Sequence, residues 1–521
     1  MKSPCDEAVI RAGGVDVPCT AQAGPWILAA TILGSSMAFI DGTVVNVALP
    51  KLQASFGATV VDVQWVVESY GLFLSALILV GGSLGDLLGR RRVFLVGVGI
   101  FAAASAACGT ATNIHMLVLA RSVQGVGGAL LVPGSLAIIG AAFDEKSRGK
   151  AIGTWSGFTA ITMALGPVLG GWLIEHASWR WAFFLNIPLA AAVIAISLVH
   201  VPESRSSSAR RIDWWGALLA TAGLGGVVIG FIESVNLGWG HPLVWVGLAV
   251  GSACLAALLL VESRTVSPMV PLALFKSQNF AGANLLTLFL YAAIGIFFFL
   301  FPMDFIQVHG YSTTATGAAA LPLILLMFLL SRWSGGLVSR YGARVPLIAG
   351  PLLAAAGFVL FAVPSAGGSY WATFFPAFIV LGLGMAVTVA PLTTVVMSSV
   401  GQERVGSASG INNAVARVAG VLAIAVFGIA MVKAFSSHLN HGLAQLVLRP
   451  DVLHDIQSNQ TRLAALDVPA GLDAKATAAV RGAVSQAFVF GFRLIMLVCA
   501  GLSIASAAVA GAVISPRSGP V

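Results

Sequence analysis

One acidic residue, Asp41, lies inside an apolar segment that begins near Trp26 and ends at Pro50. A membrane-spanning helix needs about 20 apolar residues, so this segment is long enough to cross a bilayer. A charged side chain in hydrocarbon costs roughly 3 kcal/mol on insertion scales, and such residues commonly bind protons, ions or ligands. Asp41 is therefore a candidate proton-binding residue. A structural ion pair that merely neutralises Asp41 is the alternative.

Two further ionisable residues lie at a similar depth in other apolar segments. Asp41 in the first segment and Arg121 in the fourth are each about seven residues from the same surface, which corresponds to about 10 Å at the helical rise. Glu68 enters the second segment from that side, slightly closer to the surface. Because an unpaired charge in hydrocarbon is costly, we expect Asp41 to pair with Arg121. Glu68 either shares the proton or is solvated at the interface.

A pair of this kind can exchange protons. Burial favours the neutral acid, whereas a nearby arginine favours the carboxylate. Moving the arginine, or admitting a cationic substrate, would change whether Asp41 holds a proton. The pair would then couple proton movement to a conformational change, and a static ion pair that holds the bundle together is the alternative.

The composition is that of a protein embedded in a lipid bilayer. Of 521 residues, 58% are hydrophobic and 9% are charged, and the mean hydropathy is +0.94. A water-soluble chain of this length could not keep so much apolar surface away from water. The net charge of +8 does not indicate a nucleic-acid partner, because the basic residues lie in short runs between apolar segments.

Neither an enzyme nor a metalloprotein is predicted. The 5 cysteines are scattered between the polar N-terminal tail and the apolar segments, and their spacing fits neither a disulfide framework nor a metal site. The sequence contains no zinc-ligand helix and no serine elbow. We therefore expect no catalytic residues and no cofactor, with a proton gradient as the energy source. A membrane-embedded enzyme or channel is a remote alternative.

Hydropathy predicts an all-α polytopic protein with about fourteen transmembrane helices. The expected spans are 26–48, 64–85, 93–111, 115–139, 151–174, 181–200, 213–233, 242–261, 280–301, 314–334, 345–363, 371–397, 408–432 and 485–513. Most basic loop residues, such as Arg90, Lys146 and Arg340, follow even-numbered helices, which places those loops and both termini in the cytoplasm. Glu233 and Asp304 then fall at outer helix ends, where we expect them at the interface.

The sequence contains an internal repeat. Gly82–Arg91 resembles Gly335–Arg344, and Gly125–Ala129 resembles Gly382–Ala386. These matches predict two six-helix halves with two extra helices between them, an arrangement with which many transporters alternate access. The expected organisation is a cytoplasmic tail at 1–24, a bundle at 25–200, the extra pair at 201–265, a second bundle at 266–513, and a tail at 514–521.

Two connecting segments have distinctive compositions. The loop after the second helix contains Gly82, Asp86, Gly89, Arg90 and Arg91. Glycine permits a tight turn, so we interpret this loop as a conformational latch whose arginines also anchor the topology. The outer segment 433–484 is the least apolar part of the chain. In it, His438–Leu448 is predicted to form an amphipathic surface helix within a passive cap, with docking of a periplasmic adaptor protein left open.

These motifs together resemble the major facilitator superfamily, and specifically its fourteen-helix drug:proton antiporter branch, from about Trp26 to residue 513. Asp41–Pro50 is similar to the most distinctive motif of that branch, and Gly82–Arg92 to the superfamily's loop signature. Trp179–Pro188 is also typical of the branch. The fourth-helix motif is matched by Arg121, Gln124, Gly125 and Gly127. The fifth-helix antiporter motif is matched by Gly153, Gly166, Pro167, Gly170 and Gly171, although Thr162 stands where that motif usually has a glycine.

The resemblance implies export of amphipathic, often cationic, small molecules across the cytoplasmic (inner) membrane in exchange for protons. It also implies that Arg121 takes part in proton transfer, beside Asp41 and Glu68. A proton-coupled symporter that takes up a small metabolite is the alternative on the same scaffold. From position alone, we expect a substrate cavity between the halves, lined by Asn46, Trp65, Gln124, Phe289, Phe298, Asn413 and Arg417.

Overall fold

The computed structural model describes residues 23–143, 145–205, 212–265, 268–364, 369–400, 405–446, 448–469 and 472–515. Within these ranges, 14 helices are long and apolar enough to cross a membrane. No strand occurs in the described residues. The all-α fold class and the helix count predicted from hydropathy are confirmed.

We number the long helices α1 to α14. The first six are α1 (Gly24–Phe56), α2 (Val60–Leu88), α3 (Arg90–Gly109), α4 (Ile114–Ala142), α5 (Glu145–His176) and α6 (Trp181–Phe184 followed by Asn186–His200). The extra pair is α7 (Trp214–Leu237) and α8 (Pro242–Arg264). The last six are α9 (Gln278–Met303), α10 (Thr313–Ala319 followed by Leu321–Gly335), α11 (Arg344–Phe361), α12 (Tyr370–Ser398), α13 (Val405–Leu443) and α14 (Ala474–Val513). Shorter helical segments are Leu272–Lys276, Asp304–Val308, Leu337–Tyr341, Pro450–Ser458 and Gln460–Ala465.

Polar residues mark the start of several helices. The Met116 N–H donates to Asn113 Oδ1 at 2.8 Å before α4, and the Ala476 N–H donates to Asp473 Oδ1 at 2.6 Å before α14. Such caps satisfy backbone donors that the first helical turn leaves free. A new helix can therefore begin directly after a short polar loop, so the connections between these helices need few residues.

The segment 433–484 contains more helix than hydropathy predicts. Because α13 continues to Leu443, the predicted separate helix at His438–Leu448 is wrong. The amphipathic helix is Pro450–Ser458, which buries Val452 and Ile456. The spanning helices continue past the apolar stretch, because a helix that leaves the hydrocarbon tolerates polar side chains while its backbone hydrogen bonds persist.

The described chain forms two compact units. Unit 1 comprises the described parts of Met1–Val45, Val66–Gly225 and Val250–Leu272. Unit 2 comprises those of Asn46–Trp65, Gly226–Ala249 and Ala273–Val521. Helices α1, α2, α7 and α8 therefore contribute residues to both units. The predicted domain boundaries at 200 and 265 stay a prediction.

In unit 1, α3 and α4 cross closely because glycines face each other. A Cβ at Gly127 would lie 2.6 Å from the Phe101 backbone N. A Cβ at Gly97 would lie 2.8 Å from the Leu131 backbone N and 3.0 Å from the Gly127 carbonyl oxygen. Real side chains do not approach this closely, so both positions need glycine, as is common where membrane helices pack.

In unit 2, α11 and α12 cross in the same way. A Cβ at Gly384 would lie 2.8 Å from the Gly350 carbonyl oxygen, and one at Gly350 would lie 2.9 Å from the Gly384 carbonyl oxygen. The internal repeat aligns Gly350 and Gly384 with Gly97 and Gly127 of unit 1. The repeat seen in the sequence thus corresponds to one packing arrangement used twice.

The two units differ in their polarity at an equivalent position. The repeat aligns Arg121 with Phe378, which is fully buried in unit 2. The Phe378 ring packs on those of Phe361 and Phe301, with centroids 4.9 and 5.8 Å apart. Aromatic packing in unit 2 therefore occupies the place that a buried charge has in unit 1.

Candidate proton-binding site

Asp41 points into the interior of unit 1. The residue is 0% exposed, and its carboxylate accepts hydrogen bonds from side chains of α4 and α6. It therefore does not face lipid. The carboxylate forms an ion pair with Arg121, which is 1% exposed, through Arg121 Nη1 and Asp41 Oδ2. The predicted pairing of these two residues is present in the structure.

Arg121 has further partners besides Asp41. Its Nη1 donates to Gln124 Oε1 at 2.7 Å, and its Nε donates to the Val66 carbonyl oxygen at 3.1 Å. The guanidinium carbon lies 4.2 Å from the centroid of the Tyr70 ring, within the range of a cation–π contact. These contacts fix the arginine whether or not Asp41 is charged.

Amide and hydroxyl groups complete the network. Gln124 Nε2 donates to Asp41 Oδ1 at 2.8 Å and to Ser105 Oγ at 2.9 Å. Asn186 Nδ2 donates to the same two acceptors, at 3.3 and 2.9 Å. The predicted contribution of Gln124 to a substrate cavity stays a prediction. Gln124 is 0% exposed, because both charged residues use its amide.

The network can exist in two charge states. With Asp41 ionised, three donors surround the carboxylate and the pair is neutral overall. Removing one partner of such a buried pair leaves an uncompensated charge and costs about 3–5 kcal/mol. A proton on Asp41 changes the net charge of the pair from zero to +1, because Arg121 stays charged.

Glu68 is a separate buried acid. It is 0% exposed, and neither carboxyl oxygen has a hydrogen-bond partner among the described residues. The alternative that Glu68 is solvated at an interface is wrong. Because burying a charged group without a partner is costly, Glu68 is a second candidate for holding a proton in unit 1.

The loop between α2 and α3 is tied to the segment after α6. Arg90 Nη2 lies 2.7 Å from Asp86 Oδ1, and the Arg90 N–H donates to the Ser204 carbonyl oxygen at 2.9 Å. Arg91 Nη1 donates to the Val201 carbonyl oxygen at 2.9 Å. Gly82 lies farther from these contacts, and its Cβ would rest 3.7 Å from Pro133 Cβ. The interpretation of this loop as a latch stays a prediction.

Glu203 is the acid that organises this loop. Its carboxylate accepts from the N–H groups of Arg91 at 3.1 Å and Arg92 at 3.2 Å, and so caps the start of α3. Gly89 has a φ of +115°, and a Cβ there would lie 2.7 Å from Glu203 Oε1. The turn therefore needs glycine both for its backbone conformation and for space.

The small residues of α5 pack against α1 around Asp41. A Cβ at Gly166 would lie 3.4 Å from Ile40 Cα, and one at Gly170 would lie 2.7 Å from Val44 Cγ2. Pro167 and Gly171 are also buried. At Gly153 a Cβ would meet nothing within 4 Å, so packing does not explain that member of the motif. Thr162, the residue that departs from the motif, accepts a hydrogen bond from Ser36 Oγ at 3.0 Å.

The remaining predicted cavity residues lie in unit 2. Trp65 Nε1 donates to Glu233 Oε1 at 2.7 Å, so Glu233 has a protein partner. Asn413 is exposed and donates to the Ser409 carbonyl oxygen at 3.0 Å. Asn46, Phe289, Phe298 and Arg417 are half-buried. Unit 2 contains a cavity of about 420 Å³ that is lined by different residues, among them Tyr311, Tyr370, Trp371 and Phe375. Substrate binding by the predicted residues stays a prediction.

Some residues of these sites escaped prediction from the sequence. Ser105 and Asn186 are uncharged, and hydropathy tolerates such residues in a spanning helix. The signal for Asn186 was its place in the Trp179–Pro188 motif. Glu203 gave one weak signal, its position just after the apolar stretch of α6. Asp304 was expected at the interface, but it is 2% exposed, because α9 continues into a further turn that buries it.

Comparison with known proteins agrees with this architecture. The sequence pattern of the Major Facilitator Superfamily matches residues 31–424. "Multidrug resistance protein Stp" of Mycobacterium tuberculosis (strain CDC 1551 / Oshkosh) is 37% identical over 82% of this chain and 79% of its own length. "Tetracenomycin C resistance and export protein" of Streptomyces glaucescens is 35% identical over 78% and 76%, respectively. "Puromycin resistance protein pur8" of Streptomyces alboniger is 33% identical over 84% and 89%.

A solved structure has the same fold. It is a bacterial homologue of the human lysosomal transporter Spinster, in an inward-facing and unoccupied conformation. The TM-score is 0.65 at 15% sequence identity, covering 96% of this chain and 100% of that chain. The family match, the relatives and the fourteen helices agree. The chain belongs to the major facilitator superfamily and is a multi-pass membrane transporter, not an enzyme.

Proposed function

We propose that the protein exports amphipathic small molecules from the cytoplasm in exchange for protons. The buried Asp41–Arg121 pair carries this proposal, because it places an acid that can gain or lose a proton inside a transporter bundle. The names of the relatives support the substrate class, since they refer to multidrug, tetracenomycin C and puromycin resistance.

The basic loops support an orientation in the cytoplasmic membrane. With the loops after even-numbered helices in the cytoplasm, both termini are cytoplasmic. Asp41 is then nearer the outer surface, and protons enter from outside. A periplasmic adaptor protein that docks on the segment 433–484 remains a prediction.

Proton exchange at Asp41 leaves Arg121 with other partners. When Asp41 takes a proton, Gln124 Oε1, the Val66 carbonyl oxygen and the Tyr70 ring still hold the guanidinium. The positive charge is then no longer balanced, which disfavours a cationic substrate nearby. When the proton leaves, the neutral pair returns. Proton and cation therefore compete, as antiport requires.

Packing offers a route from this site to the rest of unit 1. In α5, Gly166 lies against Ile40 of α1, the residue before Asp41, and Gly170 lies against Val44, three residues after it. A shift of α1 that follows protonation would therefore move α5. Glu68 provides a further proton position in α2, close in sequence to the Val66 carbonyl that binds Arg121.

The second candidate is a symporter on the same scaffold. It uses the same buried acid but moves substrate and protons in the same direction. Export predicts that a proton gradient directed inwards lowers the amount of compound in the cell, whereas symport predicts that it raises that amount. An uncoupler therefore has opposite effects on accumulation in the two cases.

Substrates can be found by growth tests. A strain that lacks its own drug pumps, with and without this protein, is exposed to a panel of toxic amphipathic compounds. We expect protection against some of them, and loss of that protection with an uncoupler. Protection that persists without a proton gradient would contradict proton coupling.

The role of Asp41 is tested in proteoliposomes with a compound from that panel. An imposed pH gradient should drive uphill transport by the wild type and not by Asp41→Asn. Asp451→Asn removes a carboxylate whose side chain is 67% exposed, so it should transport like the wild type. Uphill transport by Asp41→Asn would show that Asp41 is only structural.

A further inference from the structure

An acid at the end of α9 has no part in the mechanism described so far. Asp304 opens a π-helical turn, Asp304–Val308, which continues α9. The residue is 2% exposed, and its Oδ1 has no hydrogen-bond partner among the described residues. Single π-turns of this kind are frequent at functional sites in helices.

His309 is the partner of Asp304. His309 Nε2 lies 3.4 Å from Asp304 Oδ2, and both side chains are 3% exposed. The rings of Phe374 and Phe305 lie against the imidazole, with centroids 5.0 and 6.2 Å away. The acid and the imidazole are therefore shielded from water.

Gln307 connects this turn to the end of α1. Its Nε2 donates to Gln53 Oε1 at 2.8 Å, and Gln53 Nε2 donates to the Arg462 carbonyl oxygen at 3.5 Å. The other polar atom of Gln307, Oε1, is buried without a donor. Asp304 and Gln307 thus each present one unsatisfied acceptor, and they are three residues apart on one turn.

The start of α2 is held in the same unit. Gln64 Nε2 donates to the Ile424 carbonyl oxygen of α13 at 3.3 Å. Together, Gln53 and Gln64 attach the adjoining ends of α1 and α2 to other elements of unit 2. In the orientation proposed above, these are the outer ends of the two helices.

We propose that Asp304 is a second proton-binding site, whose proton keeps the outer ends of α1 and α2 attached to the π-helical turn and to α13. The site is distinct from the Asp41–Arg121 network, and its role in transport rests on the function proposed above. The ligand is a proton from the outer side.

The hydrogen bonds explain why a proton fits here. A proton on Asp304 Oδ1 turns one unsatisfied acceptor into a donor, and Gln307 Oε1 is an acceptor three residues away. Neutral His309 then donates from Nε2 to Oδ2, and the site has no net charge. Without the proton, both acceptors lack donors in a buried place, which is unfavourable. Water can satisfy them only if the turn opens, and Gln307 then leaves Gln53.

The surrounding charged groups are engaged elsewhere or exposed. The elements packed against the turn are α9, α10, α14 and Gln460–Ala465, with α12 in contact through Phe374 and α1 through Gln53. Lys51, the charged residue of α1 nearest Gln53 in sequence, is exposed. Arg462 Nη1 lies 3.5 Å from Asp467 Oδ2, and Arg493 donates to the Val363 and Pro364 carbonyl oxygens. Lys475 and Arg481 are exposed. The neutral titratable groups on these elements are Tyr291 in α9, Tyr370 in α12 and Cys499 in α14, and Tyr311 lies against Phe305 of the turn. Among the described residues, His309 is the one basic side chain with a nitrogen within 4 Å of the Asp304 carboxyl oxygens.

Thiol labelling tests the proposal on the full chain. The 5 native cysteines are replaced by serine. Val63→Cys, at a position that is 0% exposed at the start of α2, keeps Gln64 in place and reports when this end of the helix becomes accessible. A membrane-impermeant maleimide is applied to proteoliposomes at several external pH values. The labelling rate of the reporter cysteine is divided by the labelling rate of a cysteine at His454, an exposed position. This ratio corrects for the increase in thiol reactivity that a higher pH causes at any cysteine.

Labelling should increase as the external pH rises, by up to about tenfold per pH unit for one coupled proton. Asp304→Asn is neutral and can donate to Gln307, so its labelling should be slow and independent of pH. Gln307→Leu keeps the titratable pair but breaks the link to Gln53, so its labelling should be fast and independent of pH. Asp467→Asn, whose carboxylate is 91% exposed, should keep the wild-type slope.

Two comparisons make the outcome decisive. If Asp304→Asn and Gln307→Leu both keep the wild-type slope, the proposal is wrong. If Asp304→Asn does not fold, Gln307→Leu decides alone. Asp41→Asn should lose proton-driven transport but keep the slope. A slope that depends on Asp41 and not on Asp304 would overturn this proposal and leave the proposed function intact. If the slope depends on Asp304 but the wild-type protein shows no proton-driven transport, this proposal holds and the proposed function is wrong.

Discussion

Gly89→Ala, in the turn before α3, should destabilise the protein more than Gly99→Ala within that helix. Gly89 combines a φ of +115° with a position where a Cβ would lie 2.7 Å from Glu203 Oε1. Alanine would have to hold a backbone conformation that L residues avoid, and its Cβ would also displace the carboxylate. Displacing it removes the acceptor from the N–H groups of Arg91 and Arg92.

The expected loss follows from these two effects. A residue held in a sparsely populated backbone region costs about 1–3 kcal/mol, and loss of a helix cap costs about 1 kcal/mol. Together they amount to about 2–4 kcal/mol, which for a chain of 521 residues corresponds to a fall in Tm of roughly 2–4 °C. The effect should be the same with or without a transported compound, because the turn does not contain the candidate proton site.

Thermal denaturation of the purified protein in detergent, followed by tryptophan fluorescence, measures this loss. Gly99→Ala is the matched control, because Gly99 lies in the helix that begins directly after Gly89 and a Cβ there meets nothing within 4 Å. It should change the stability by less than about 1 kcal/mol, since alanine favours helix over glycine. If Gly89→Ala melts together with Gly99→Ala, then Glu203 does not organise this turn.

Two further predictions concern unit 1. Arg121→Gln leaves the charge of Asp41 uncompensated and should lower the free energy of unfolding by about 3–5 kcal/mol. Adding Asp41→Asn should restore part of this loss in thermal denaturation. If the two losses are strictly additive, the two side chains do not interact. Gly127→Leu should reduce the monodisperse peak in size-exclusion chromatography, because no side chain fits against Phe101. Gly140→Leu is the control and should leave the peak unchanged, because a Cβ at Gly140 meets nothing within 4 Å. Equal peaks for the two variants would contradict the close crossing of α3 and α4.

The number and order of the helices could be predicted because a bilayer sets a minimum apolar length. The helix ends could not, since α13 and α14 continue through polar sequence outside the apolar stretch. The expected surface helix was therefore placed at His438–Leu448 when it lies at Pro450–Ser458. Contacts between glycines of two helices within one half, such as Gly97 with Gly127, became visible only once the helices were paired.

The charged centre of the site was predictable for a physical reason. A buried Asp41 needs an opposite charge, and Arg121 was available at the same depth. Uncharged partners such as Asn186 carry no comparable constraint, because a spanning helix tolerates them anywhere. Glu203 and Asp304 depend on contacts and turns that appear only after folding, so their roles could not be read from spacing.

Proton movement itself tests the central claim most directly. Proteoliposomes containing the purified protein and an internal pH-sensitive dye receive a gradient of a transported compound and no initial pH gradient. For the wild type, protons should move opposite to the compound, and Asp41→Asn should show no coupled proton movement. Compound flux by the wild type without proton movement, or with protons moving in the same direction, would contradict the account.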